Sequence, residues 1–215
     1  MTTSHVGARV APQEISRRER KKDATRERIA HVALELFAER GFDATTVGDI
    51  AERADVAKGT FFNYYPRKEA VLDALAERTA TEMEGVTRRL LAGRGKSRRK
   101  VATFVHEISR RHSHNPGLAR VFLTRLLTGH HDPADGFPTR IRGLMRGLIE
   151  QGQSTGEFRR DVDPGRASAV IQSAALGTLL VWFSRETPPF DLERELQERI
   201  GLVLDGLTGR RGGTP

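Results

Sequence analysis

An all-α fold is what this sequence predicts, and three observations carry the prediction. Apolar residues recur three and four apart in segment after segment, as in Ile29, Val32, Ala33, Leu36 and Phe37, or Leu192, Leu196, Ile200, Val203 and Leu207. Glycine and proline punctuate the intervals, at Gly41, Pro66, Gly93, Gly95, Pro164 and Pro188-Pro189. Between Ala44 and Glu69, two short helical patterns lie on either side of a turn of a few residues, the spacing of a helix-turn-helix.

Residues 1–22 lack an apolar period and end on Arg17, Arg18, Arg20, Lys21 and Lys22. A disordered basic arm is expected there, its charges resting on phosphate, lying in a minor groove, or simply solvated. A bracing helix follows from Asp23 or Thr25 to Arg40, with Gly41 as its stop. Thr45 or Thr46 caps the next helix, whose stripe is Val47, Ile50, Ala51 and Ala54. Asp55-Val56 makes the turn, with Val56 as its buried plug. A second short helix spans 57–64 and stops before Pro66.

Arg67-Lys68-Glu69 opens a long helix carrying Ala70, Val71, Leu72, Leu75, Met83, Val86, Leu90 and Leu91. Extended to Leu91 it is about 35–40 Å long, with Gly85 as its weak point. Further helices are expected over 98–113, 116–128, from 135 or 137 to 151, and over 164–184 and 192–207, before a Gly-rich tail expected to fray. The domain division that follows is an arm 1–22, a helix-turn-helix domain 23–68, a helical body 69–208 and a tail 209–215.

The 215 residues suffice for a real core, and the net charge of +8 favours a polyanionic partner. Much of that charge is Arg, which genome composition alone can supply. With no cysteine, disulfides and thiol chemistry are excluded. The segment 164–184 is apolar nearly all round, but Arg166, Gln172, Ser173 and Arg185 argue for burial in protein over insertion in lipid. No secretory signal is recognisable, and a cytoplasmic protein without a membrane partner is expected.

Enzyme chemistry finds little support. Gly95-Lys96-Ser97 echoes a phosphate loop, but Leu90 stands where its first glycine belongs, and a helix precedes it in place of a strand. His106, His112, His114, His130 and His131 lack a zinc spacing, so no metal or cofactor is expected. The segment from Ala44 to Glu69 is more specific. Its second helix turns Lys58, Gly59, Thr60, Asn63 and Tyr64 outward and Phe61 inward. Lys suits guanine acceptors, Asn can bond adenine bidentately, and Thr offers a hydroxyl and a methyl.

Asp49-Ile50-Ala51, Val56-Ala57-Lys58-Gly59-Thr60-Phe61-Phe62 and Tyr65-Pro66-Arg67-Lys68-Glu69 together resemble the DNA-binding domain of TetR-type transcriptional regulators. The resemblance extends upstream through Arg26-Glu27-Arg28-Ile29 and Ala33–Phe42, and covers about Asp23 to Leu75. It implies a homodimeric repressor that binds a near-palindromic double-stranded operator and answers to a small-molecule effector; an activator of the same fold would differ only in promoter geometry. By position it implies base contacts from Lys58, Gly59, Thr60 and Asn63, and phosphate contacts from Thr46, Tyr64 and Lys68. Phe62, Asn63 and Tyr64 depart from the frequent Tyr, Tyr and His, and Phe62 has no hydroxyl to offer a phosphate.

The resemblance also places an effector between the long helix and those after it. Met83, Phe104, Phe122, Met145, Trp182 and Phe183 would line that pocket, or else be plain core. Ile171, Ala175, Leu179, Trp182, Leu196, Ile200, Val203 and Leu207 would form a four-helix dimer interface, or else pack within one chain. An all-helical small-molecule enzyme is the alternative from a different class.

Overall fold

The computed structural model describes residues 16–114, 116–127, 136–184, 187 and 189–208. The expected Gly-rich tail and the sequence His130-His131-Asp132 lie outside them. Among the described residues the secondary structure is nine helices and no strand: α1 (Arg17–Arg40), α2 (Val47–Arg53), α3 (Lys58–Tyr64), α4 (Glu69–Ala92), α5 (Ser97–His114), α6 (Pro116–Leu127), α7 (Phe137–Ser154), α8 (Pro164–Phe183) and α9 (Leu192–Leu207).

The first helix corrects the expected arm. It begins at Arg17, not at Asp23 or Thr25, because Ser16 and Glu19 form a capping box. Ser16 Oγ accepts the Glu19 N–H at 3.2 Å, and Glu19 Oε2 accepts the Ser16 N–H at 2.9 Å. Residues 17–22 are therefore helical, and only 1–15 of the arm fall outside the described residues. The helix ends at Gly41, whose φ of +85° a side chain disfavours.

Burial divides the molecule into two apolar cores. The head core joins Ile29, Leu36 and Phe37 of α1, Ile50 of α2, Phe61 of α3, and Val71, Leu72 and Leu75 of α4. Val121 of α6 completes it, reaching the head from far downstream as α6 packs along α1. The body core joins Met83 and Val86 of α4 with Phe104, Met145, Leu148, Ile149, Ile171, Leu196 and Ile200. Along α4 the last residue of the head core is Leu75 and the first of the body core is Met83. The long helix runs unbroken through Gly85.

The far end of α4 is closed by polar contacts. Gln151 Nε2 donates to the Leu91 carbonyl at 2.9 Å, and the buried Lys100 ammonium donates to Gly93 O and Gln151 Oε1, both at 2.7 Å. The Glu157 carboxylate accepts the first N–H groups of α5, from Ser97 at 2.5 Å and Arg98 at 3.1 Å. Ser97, which ends the segment that echoed a phosphate loop, thus gives its amide to a carboxylate of the same chain. By length and composition α8 could cross a membrane, but it lies against α7 and α9 with Ile171 and Trp182 in the body core.

Candidate nucleic-acid interface

The head begins with a threonine pair that separates two jobs. Thr45 is fully buried and donates its hydroxyl to Gly41 O at 2.8 Å, bracing the turn after α1. Thr46 caps α2: its Oγ1 accepts the Asp49 N–H at 3.1 Å, and the Asp49 carboxylate accepts both the Thr46 N–H at 2.8 Å and its hydroxyl at 2.6 Å. The Thr46 hydroxyl holds the Asp49 carboxyl below its ordinary value, helped by the Thr46 N–H and the Arg40 charge. A lowered carboxyl stabilises the fold above the carboxylate range and loses that effect on acidification. Both Thr46 donors are thus engaged inside the protein, where the sequence reading had them on phosphate.

The turn places Asp55 at φ 51°, a left-handed angle that Asp tolerates. Val56 behind it is half-buried against the head core. In α3, Phe61 is fully buried and Tyr65, which caps the helix, is 3 % exposed. These two rings fix the rotation of the helix about its axis. The opposite face then carries Lys58, Gly59, Phe62 and Asn63 exposed, with Thr60 and Tyr64 half-buried on its flank. Lys58 lies across α2, where a Cβ added at Gly48 would come within 3.1 Å of its Cε.

Phe62 is the residue that sequence reasoning undervalued. It is 52 % exposed, held edge-on to Phe61 at 5.7 Å between ring centroids. Its missing hydroxyl drew attention away from what a ring offers, an apolar contact for a thymine methyl.

Lys68 is placed differently from the expectation that it holds phosphate. Its ammonium donates to the carbonyls of Phe42 at 2.7 Å, Thr45 at 3.0 Å and Asp43 at 3.3 Å, and sits 4.5 Å from the Phe42 ring centroid. All three donors are accounted for, so Lys68 ties the start of α4 to the turn before α2. The brace α1 is tied at two further points. Arg53 pairs with Glu39 through two bonds of 2.6 and 2.8 Å, and the Tyr65 hydroxyl donates to Arg26 O at 3.3 Å. The Arg26 guanidinium covers the Tyr65 ring, 5.6 Å from its centroid.

The residues expected to line a pocket are not all together. Met83, Phe104, Met145 and Trp182 share the body core, with Phe183 beside Trp182 at 4.8 Å between centroids. Phe122 stands apart, against the head core and 6.3 Å from Phe137. Most of the expected dimer set lies inside the chain. Ile171, Trp182, Leu196, Ile200 and Leu207 are buried inside the chain, and Ala175, Leu179 and Val203 pack against them. The outward apolar residues of α8 and α9 are Val170, Leu180, Val181 and Leu202, the last 74 % exposed. An apolar seam on α9 serves intrachain packing as well as association, and an all-round apolar α8 does not announce which side faces in. No group of three or more metal-ligating side chains occurs among the described residues.

Comparison with known proteins bears on this arrangement. Residues 29–75 match the family described as bacterial regulatory proteins, tetR family. The uncharacterized HTH-type transcriptional regulator YdeS of Bacillus subtilis is 32% identical over 155 residues, covering 69% of this chain and 75% of that protein. The HTH-type transcriptional repressor KstR of Mycolicibacterium smegmatis is 27% identical over 179 residues, 83% of this chain and 86% of that one. Among solved structures, the TetR-family repressor FadR of Thermus thermophilus in complex with lauroyl-CoA aligns with a TM-score of 0.63 at 30% identity, over 88% of this chain and 98% of that chain.

Lys68 supplies a test of the head's construction. Lys68→Met keeps the stem and removes the charge-assisted donors, and is expected to lower the unfolding free energy by about 1.5–3 kcal/mol. Chemical denaturation reads the loss, and amide exchange should rise first around Phe42–Thr45.

Proposed function

This chain belongs to the TetR family of bacterial regulatory proteins, and on that premise we propose a homodimeric repressor that sets two α3 helices into successive major grooves of a near-palindromic operator and releases it when an apolar effector enters its body. Family membership makes it a DNA-binding transcriptional regulator. The observation that carries the finer reading is the outer face of α3, where Lys58, Gly59 and Asn63 stand uncovered on a helix whose inner face is locked by Phe61 and Tyr65.

In this reading Lys58 and Asn63 contact base edges, Gly59 lets the backbone approach, and Thr60 and Phe62 meet the groove's flanks. Tyr64 is the flanking phosphate contact. Thr46 and Lys68 act one step back, by fixing α2 and the start of α4. A two-fold dimer presents its α3 helices about 34–36 Å apart, or somewhat more, to match the helical repeat of the duplex. The dimer face proposed is the outward one, Val170, Leu180, Val181 and Leu202, whose exposure leaves apolar area for a second copy.

The effector proposed is a long-chain acyl thioester or a similarly apolar molecule. Relatives supply the class: lauroyl-CoA is bound in the Thermus thermophilus structure, and KstR2 of Mycobacterium tuberculosis is a ketosteroid transcriptional regulator. Met83, Phe104, Met145, Trp182 and Phe183 give the body an apolar, adaptable lining for it. Release follows from linkage: the effector shifts the population only by its differential affinity for the form whose α3 helices no longer match the grooves.

Three outcomes test the reading once selection from genomic DNA has supplied the operator. Asn63→Ala should lose about 1–3 kcal/mol of discrimination at one operator position while leaving random-duplex binding unchanged. Leu202→Glu should yield a folded monomer by sedimentation, with operator binding largely lost. Lauroyl-CoA should release bound operator at concentrations where free CoA does not; equal release by both would remove the acyl chain from the recognition.

A further inference from the structure

Apart from Arg26, which meets Tyr65, the first half of α1 packs on no other described element. Ile29 is its first buried residue, and of residues 17–28 only Thr25 is even half-buried. At 1.5 Å per residue this overhang extends about 18 Å beyond the head core. Isolated helices of such length are marginal in water, yet this one starts with a complete capping box at Ser16 and Glu19. It carries seven basic and three acidic residues, half of the chain's net charge of +8. None of the seven pairs with a carboxylate of a described residue, whereas Arg53, Arg67, Arg98, Arg111, Arg140, Arg146 and Arg199 all do.

Helical spacing gives the overhang a direction. The face of α1 that meets the head core carries Ile29, Ala33 and Phe37. Stepping back by three and then by fours, the same face carries Arg26, Lys22 and Arg18. The stripe changes from apolar to basic where the helix runs past the protein it packs on. Arg26 marks the change, bonded through its carbonyl to the Tyr65 hydroxyl and lying over the ring of the residue that ends α3. The overhang therefore leaves the head beside the end of the reading helix, with cations on the side where that helix lies.

We propose that this overhang is a second DNA contact, a basic rod whose Arg18 and Lys22 rest on the phosphate backbone flanking each half-site. It rests on the DNA-binding reading and extends it from base recognition to a sequence-independent term outside the groove. Phosphate contacts add affinity and fix register without choosing sequence. Each neutralised phosphate contributes about 0.9 to the slope of log K against log salt.

The test compares two double variants of the full chain, Arg18→Gln with Lys22→Gln on the inner face, and Arg17→Gln with Lys21→Gln about a quarter-turn away. Glutamine keeps helix propensity, and circular dichroism checks that it does. The inner pair is expected to reduce the salt slope by about 2 per protomer and to weaken operator and random duplex by the same factor. The outer pair should change the slope by less than half as much. Trimming the duplex to the two half-sites should erase the difference between wild type and the inner variant. An inner variant with the wild-type slope overturns the proposal, as do equal losses from the two faces. Failure of the DNA-binding reading itself would look different, as wild type without preference for any duplex.

Discussion

One helix has to satisfy two hydrophobic cores, and most of the architecture follows from that demand. Val71, Leu72 and Leu75 bury one end of α4 in the head, while Met83 and Val86 bury the other in the body. At ~25 cal/mol per Å² of apolar surface, burying a single Val, Leu or Met side chain contributes roughly 1.5–3 kcal/mol. Each anchorage is therefore worth several kcal/mol, and the helix between them cannot rotate without exposing one or the other. Ion pairs add direction along its middle: Arg140 bridges Glu77 and Glu84, and Arg111 reaches Glu82. Half-exposed pairs of this kind are worth ~0–1 kcal/mol, so they trim the position that the apolar anchors set.

The same logic explains how α3 is held. A seven-residue helix has too few internal bonds to persist alone, and α3 has no side-chain cap at its start. Its order comes from Phe61 and Tyr65 in the head core, from the Tyr65 hydroxyl on α1, and from α4 following at once. Base recognition depends on donors placed within a few tenths of an ångström. A helix carried by loop contacts could not supply that; one whose inner face is sealed can.

How much of this was legible beforehand varied with the kind of signal. Periodic apolar stripes placed α3, α6, α7, α8 and α9 to within a few residues, and α9 came out at 192–207 as expected. The Ser16–Glu19 box was present in the sequence but read past, because no apolar period accompanies it. The domain boundary was not legible: Val71 and Met83 sit on one continuous pattern, and only packing reveals which belongs to which core. Val121 in the head core is a tertiary fact with no local trace. Which residues of α8 and α9 pack within the chain was illegible for a related reason, since apolar spacing says that a face is buried without saying by what. Lys68 and Thr46 were recognised as significant, while the acceptors that engage them lie on backbone, which a sequence does not display.

Geometry also bounds what the body must do to disturb the head. A helix of 24 residues is roughly 36 Å long. Tilting it by about 5° about its anchorage at Met83, about 21 Å from Glu69 at 1.5 Å per residue, would carry its head end through roughly 2 Å, more than half the rise of a base-pair step and far beyond the tolerance of a bidentate contact. Lys68 makes that displacement count, because its ammonium fastens the head end of α4 to the carbonyls of Phe42, Asp43 and Thr45, next to the cap of α2. Val121 resists it from the other side, since α6 holds α1 while belonging to the downstream chain. Under the proposed mechanism an effector need not unfold anything. It needs only to fill the body in a way that the present seat of Met83 and Val86 does not allow, and a rigid α4 converts a small misfit there into a spacing that no longer matches the duplex.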